Sequence, residues 1–151
     1  MSWIKPNFLW MMYRSGWGTK EGQEITLAIT LRRSFFDEIL SQAVASSFGA
    51  SPIDDITDWK SALTESEVRL QWDPDHDPSG APTERRAIQL GLRGDMLERF
   101  GKTEALEIED ISDFVAEQRK NIQNLSDLIT PIEKTYQPAS VSAITQVGLA
   151  Q

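Results

Sequence analysis

The chain has no cysteine and a single histidine, His76, among 151 residues. Without thiols there is no disulfide, no thiolate nucleophile and no zinc–thiolate site, and cysteine usage leaves the redox compartment open. One histidine, set in a proline-rich stretch, also argues against a Ser-His-Asp triad. Positive charge is scarce: 15 Lys and Arg against 23 Asp and Glu leave a formal net charge of −8. General nucleic-acid binding needs a cationic footprint and is set aside, while a small basic site for one phosphate stays compatible. Long hydrophobic runs are missing too. The longest, Phe8 to Tyr13, is far too short for a signal peptide or a membrane span, so cytoplasmic placement is the expectation.

What is present suits one soluble domain. Hydrophobic residues make up 40% and charged residues 25% of the chain, outside the range of disordered sequences. A chain this long buries roughly 70% of its unfolded surface, enough for one ordinary core. The expected domain is 1–130. Residues 131–151, small and polar, read as a poorly ordered tail.

Pro6 suits the first turn of a helix and Gly16 its end, which predicts a short helix from Pro6 to Ser15. Phe8 through Tyr13 cover every face of it, so it reads as buried on most sides. Ile25, Leu27, Ile29 and Leu31 alternate with polar or small residues and predict a strand. Ser34 with Asp37 resembles a capping pair opening a helix to Phe48, with Phe36, Leu40, Ala43 and Ser47 inward. A short helix follows around Trp59–Leu63. Val68, Leu70 and Trp72 form one face of a second strand, and Ile88, Leu90 and Leu92 one face of a third. Between them, "DPDHDPSGAPTERR" holds three prolines and reads as an irregular loop. Gly94–Phe100 predicts a helical turn, Leu106 with Ile108 a short strand, and Ser112–Leu128 a last helix. The sum is an α+β domain: a short aromatic helix, then a mostly antiparallel sheet with flanking helices.

Three stretches offer chemistry. The turn "RSGWGTKEG" brings Arg14, Lys20 and several backbone N–H groups that could cradle an anion. No Gly-Lys-Ser/Thr closes it, so it is not a P-loop, and the preceding helix points its negative end there. The bland alternative is a left-handed helix stop. Trp3, Trp10 and Trp17 stand seven residues apart, but Gly16 breaks the helix between the last two. Trp3 and Trp10 therefore read as core, and Trp17, beyond the stop, as ligand-facing with Tyr13. The loop "DPDHDPSGAPTE" sets Asp73, Asp75, Asp77 and Glu84 at EF-hand positions, but Pro78 stands where that turn needs glycine. A solvated acidic loop is the simpler reading, and no residue is assigned as a metal ligand. Finally, alternation puts Gln71 and Asp73 on the face opposite Val68, Leu70 and Trp72. Gln89 can join them, with Arg93 at that strand's end.

Four stretches, "MSWIKPNFLWMMYRSGWGTKEGQE", "LAITLRR", "VRLQWDPDHD" and "RAIQLGLRG", together resemble an uncharacterised family, domain of unknown function 4291. The resemblance covers roughly the first 115 residues, and none is seen after residue 125. It implies a further strand and helix upstream of Met1, so the expectation is that this chain lacks them. The order of elements is in turn similar to the ADP-ribosyltransferase fold, which implies NAD as cofactor. On that likeness Ser2 matches a strand-start serine, and Trp10 or Tyr13 packs by the nicotinamide. Gln71-x-Asp73 matches the catalytic pair, departing from it by ending in Asp rather than Glu. Such a carboxylate would stabilise an oxocarbenium-like transition state.

The leading expectation is thus a nucleotide-handling protein, in its sharpest form an NAD-dependent ADP-ribosyltransferase-like enzyme. Gln71 and Asp73 would be catalytic, and Tyr13, Arg14, Trp17, Lys20, Gln89 and Arg93 would bind the ligand. The alternative is a non-catalytic interaction module, a homo-oligomer or partner-binding protein working through the aromatic helix. A divalent-metal enzyme built on the acidic loop comes third.

Overall fold

A computed structural model describes residues 1–148. The long hairpin of β4 (Val68–His76) and β5 (Pro82–Leu92) is its spine. β1 (Ser2–Ile4) pairs antiparallel along β5, and β3 (Ala43–Ala45) pairs parallel along β4, giving a mixed sheet of order β1-β5-β4-β3. Both edge strands are only three residues long, which limits edge-to-edge association. Away from this sheet, β2 (Leu27–Leu31) and β6 (Ala105–Asp110) form a two-stranded antiparallel ribbon. The α+β class and the single domain are as expected.

Two hydrophobic cores hold the chain. One face of the sheet offers Val68, Leu70, Leu90 and Leu92, all essentially inaccessible. They pack on Phe35, Ile39 and Leu40 of α2 (Arg33–Gln42) and on Met96 and Phe100 of α4 (Gly94–Lys102). The second core is smaller. Met12 of α1 (Phe8–Ser15), Trp17, and Val115 of α5 (Ser112–Arg119) form it, with Phe8, Leu9, Met11, Ile111 and Phe114 around them.

Several expectations are corrected. The stretch between the second and third strands is no irregular loop, because the ladder runs on to His76 and Pro82. Its prolines sit where a missing N–H does no harm: Pro74 at a register shift, Pro78 in the turn, Pro82 at the strand start. The helix expected to reach Phe48 stops at Gln42. Ala43, Val44 and Ala45 continue as β3, buried on both faces as a parallel strand commonly is. Ser34 does not cap that helix, whose N-cap is Arg32 without a side-chain bond. The last expected helix ends at Arg119 and gives way to turns, where Asn121, Asn124 and Asp127 donate in succession to carbonyls three residues back.

Residues 131–148 do not hang free. Tyr136 donates its hydroxyl to Asp37 Oδ1 at 2.8 Å. Ala143 of α6 (Val141–Gln146) and Val147 join the first core, and Trp72 donates Nε1–H to the Val147 carbonyl at 2.9 Å. The last three residues of the expected tail, 149–151, lie outside the described residues.

Candidate functional site

The glycine turn after α1 keeps its amides for itself. Gly16 adopts φ 58° and ψ 44°, and Trp17 N–H donates to Met12 O while Gly16 N–H donates to Tyr13 O, a Schellman stop. Gly18 N–H donates to Ser15 Oγ, and Thr19 and Lys20 N–H both donate to Ser15 O. Lys20 Nζ donates to Arg14 O at 2.7 Å. The expected anion nest is therefore spent internally. Trp17, expected to face a ligand, is instead buried in the second core, with φ +54° and its Nε1–H donated to Pro78 O. Tyr13 is exposed on one side and stacks on His76, centroids 3.6 Å apart and planes 8° from parallel.

Gln71, Asp73 and Gln89 do come together. Gln71 Nε2 donates to Asp73 Oδ1 at 3.2 Å and Gln89 Nε2 to Asp73 Oδ2 at 2.8 Å. Lys5 is their neighbour, its Nζ 4.7 Å from the centre of a Trp10 ring. Burial lowers its pKa most, repulsion from Arg14 lowers it further, and Asp73 pulls it back up. Lys5, Arg14 and Asp73 thus share one electrostatic neighbourhood. Arg93 does not belong to it. It sits at the far end of β5, donating to the Ser66 and Thr64 carbonyls.

The acidic hairpin scatters its carboxylates. Asp73 holds the two glutamines, Asp75 is buried against Arg85, and Asp77 accepts from Ser79 and Ala81 within its own turn. Among the described residues no group of three or more His, Asp or Glu side chains is placed to hold a metal ion. The apolar side chains of α1 are mostly taken up within the chain, while Tyr13 keeps 47% of its surface exposed. Trp10 and Met12 are buried, and Phe8, Leu9 and Met11 pack in the second core.

A concavity lies elsewhere, at the seam between the two cores. It is a cleft of about 900 Å³, within the size of small-molecule sites. Trp72, Ile88, Phe36 and Leu40 wall it from the first core, and Phe8, Met11, Met12 and Ile111 from the second. Thr26–Ile29 close one side, and the C-terminal strap 131–136 with Pro138 the other. Its ionisable lining is Lys5, Arg85, Arg86 and Lys134 against Glu133 alone. Arg86 donates to Trp72 O at 2.7 Å, and Arg85 donates Nε–H to Asp75 Oδ2 at 2.7 Å and Nη2–H to Glu133 Oε2 at 2.9 Å. Asp75 and Glu133 hold the Arg85 pKa above its usual value. Thr26 Oγ1 is buried with no hydrogen-bond partner among the described residues. Of the residues singled out from the sequence as site residues, none lines this cleft. The pair "RR" at Arg85–Arg86 was the available signal, hidden inside a stretch taken for loop.

An α+β domain with a cation-lined cleft between two hydrophobic cores is what fold and site define. The family model described as "Domain of unknown function (DUF4291)" matches residues 1–136, and the chain belongs to that family. The match runs past the 115 residues suggested by resemblance, and it gives no support to an absent upstream segment. No curated protein matches the chain, and no solved structure does, so the likeness to ADP-ribosyltransferases gains no structural match. No helix among the described residues is long and apolar enough to cross a membrane.

Proposed function

We propose that this chain binds a small molecule in which a planar or apolar body carries an anionic group, a nucleotide being the class that fits best. One observation carries the reading. In a chain of net charge −8, the ionisable residues lining the apolar cleft are four cations and one anion. Such a local excess attracts an anion, and low-dielectric walls strengthen the attraction. Trp72, Phe36 and Tyr136 along the same lining supply flat aromatic surface for a base or similar ring. Binding comes first in this reading, and transfer chemistry at Asp73 is no part of it. Asp73 is held by two amides on the sheet face opposite Trp72.

Calorimetric titration of the full chain with AMP, ATP, NAD and uncharged adenosine tests it. The anionic nucleotides should bind and adenosine should bind at least about tenfold more weakly, the worth of one charge-assisted contact. Arg86→Ala should weaken the anionic ligands, and Ala28→Phe, which fills the cleft, should weaken all four. Elution as a dimer with no heat from any nucleotide would sink the reading in favour of an interaction module.

A further inference from the structure

Helix α1 is capped from the far end of the chain. Its N-cap residue, Asn7, makes no side-chain capping bond, and no acidic residue stands in its first turn. Phe8 N–H instead donates to Glu133 Oε1 at 2.8 Å, across 125 residues of sequence. The other oxygen of that carboxylate accepts from Arg85. Glu133 therefore occupies a position that suits any anion, between the positive end of a helix and a guanidinium. Arg85 does not depend on it, because the buried Asp75 already holds the guanidinium in place. Glu133 itself rides on the exposed strap, whose other anchors are Tyr136 and Ala139 on Asp37 and Arg33 on the Gln137 carbonyl. The same cleft holds one polar group left unused. Thr26, 5% exposed, keeps a buried hydroxyl without a partner among the described residues.

From these contacts we infer that Arg85 and the Phe8 N–H form the subsite for the ligand's phosphate, and that Glu133 is an internal stand-in which the phosphate displaces. The inference rests on the nucleotide reading above. A phosphate group offers more acceptor oxygens than a carboxylate, so it can replace both bonds of Glu133 and leave an acceptor for the Thr26 hydroxyl. Displacement frees one carboxylate to water, where an exposed ion loses little. Ligand and strap thus compete for one site, and binding releases residues 131–136 from α1 while Asp37 still tethers the strap downstream.

Titration of the full chain with AMP, adenosine and inorganic phosphate, for wild type, Glu133→Gln, Glu133→Asp and Thr26→Val, decides it. Glu133→Gln removes the competing charge and Glu133→Asp is too short to span both partners. Each should raise AMP affinity by about tenfold, leave adenosine unchanged and lower thermal stability slightly. Thr26→Val should weaken AMP and not adenosine. Unchanged or weaker AMP binding in both Glu133 variants, with wild type still preferring AMP to adenosine, overturns the subsite and leaves the nucleotide reading standing. Glu133 is then a helix cap only. If AMP binds neither wild type nor the Glu133 variants, the nucleotide reading falls and the subsite with it. Inorganic phosphate that binds as tightly as AMP and by the same variants supports the subsite and shows that the ring contributes nothing.

Discussion

Trp72 and Asp73 are neighbours in sequence and face opposite sides of the central sheet. Trp72 lines the cleft and ties its indole to Val147, while Asp73 gathers Gln71 and Gln89 on the other face. Strand alternation separates them. Asp73→Asn should therefore leave AMP affinity within about twofold of wild type, whereas Trp72→Ala should weaken it by about tenfold or more. Calorimetry on both variants reads the difference. Loss of binding in Asp73→Asn would return the site to the sheet face chosen from the sequence.

The C-terminal segment belongs to the fold. Ala143 and Val147 are 0% and 3% exposed within the first core. Deleting residues 140–151 should lower the melting temperature about as much as a core truncation such as Leu90→Ala, which costs about 2–5 kcal/mol. At about 2–4 °C per kcal/mol for a chain of this size, calorimetric melting resolves it. An unchanged melting temperature would make 140–151 the loose tail suggested by its composition.

Gly94 is held by both conformation and space. Its φ is +56°, and a Cβ there would lie 1.9 Å from Glu67 Oε1. That carboxylate accepts the Asp95 and Met96 N–H groups and so caps α4. Gly94→Ala must expel the cap and strain the backbone, which together should cost about 2 kcal/mol. Urea unfolding of the variant measures it. Glu67→Gln, which keeps the shape and loses the charge, should cost less.

Acid should weaken the clasp between α2 and α4. Arg99 donates two 2.7 Å bonds to Glu38 and holds its carboxyl below the usual 4.5. A depressed folded-state value means the contribution is present above the unfolded value and fades as pH falls through the folded one. Melting scans should show wild type more stable than Glu38→Gln near neutrality, with the gap closing below about pH 4 and shrinking in salt. A gap that persists at low pH would assign the effect to packing.

Local pattern made much of this fold legible. Period-two alternation at Val68–Trp72 and Ile88–Leu92 located both central strands and their faces, and Gly16 located the end of α1. What the sequence hid was non-local. Nothing near Ala43 says that three small residues leave a helix to join β4 in parallel, since short buried strands and helix ends share one composition. The prolines of "DPDHDPSGAP" signal a break only if each needs its N–H, and the register shift at Pro74 removes that need. The cleft was illegible for the same reason. Its walls come from α1, β2, β4, β5, α2 and the strap 131–136, and Glu133 meets Phe8 only after the chain has closed on itself. Trp17 misled because its place beyond the Gly16 stop reads as an exit from the core. The turn instead folds it back in.

Two hydrophobic cores imply two units that need not loosen together. β4 and β5 lie in the larger, while α1 and α5 meet in one whose buried residues are Met12, Trp17 and Val115 among the described residues. In hydrogen exchange the amides of α1 and α5 should open before those of the central hairpin, as a smaller cooperative unit does. A molecule seated at the seam touches both and favours only states in which both are closed. Binding should then draw the two exchange classes into one, so that occupancy is written in the cooperativity of the whole chain as much as in its affinity.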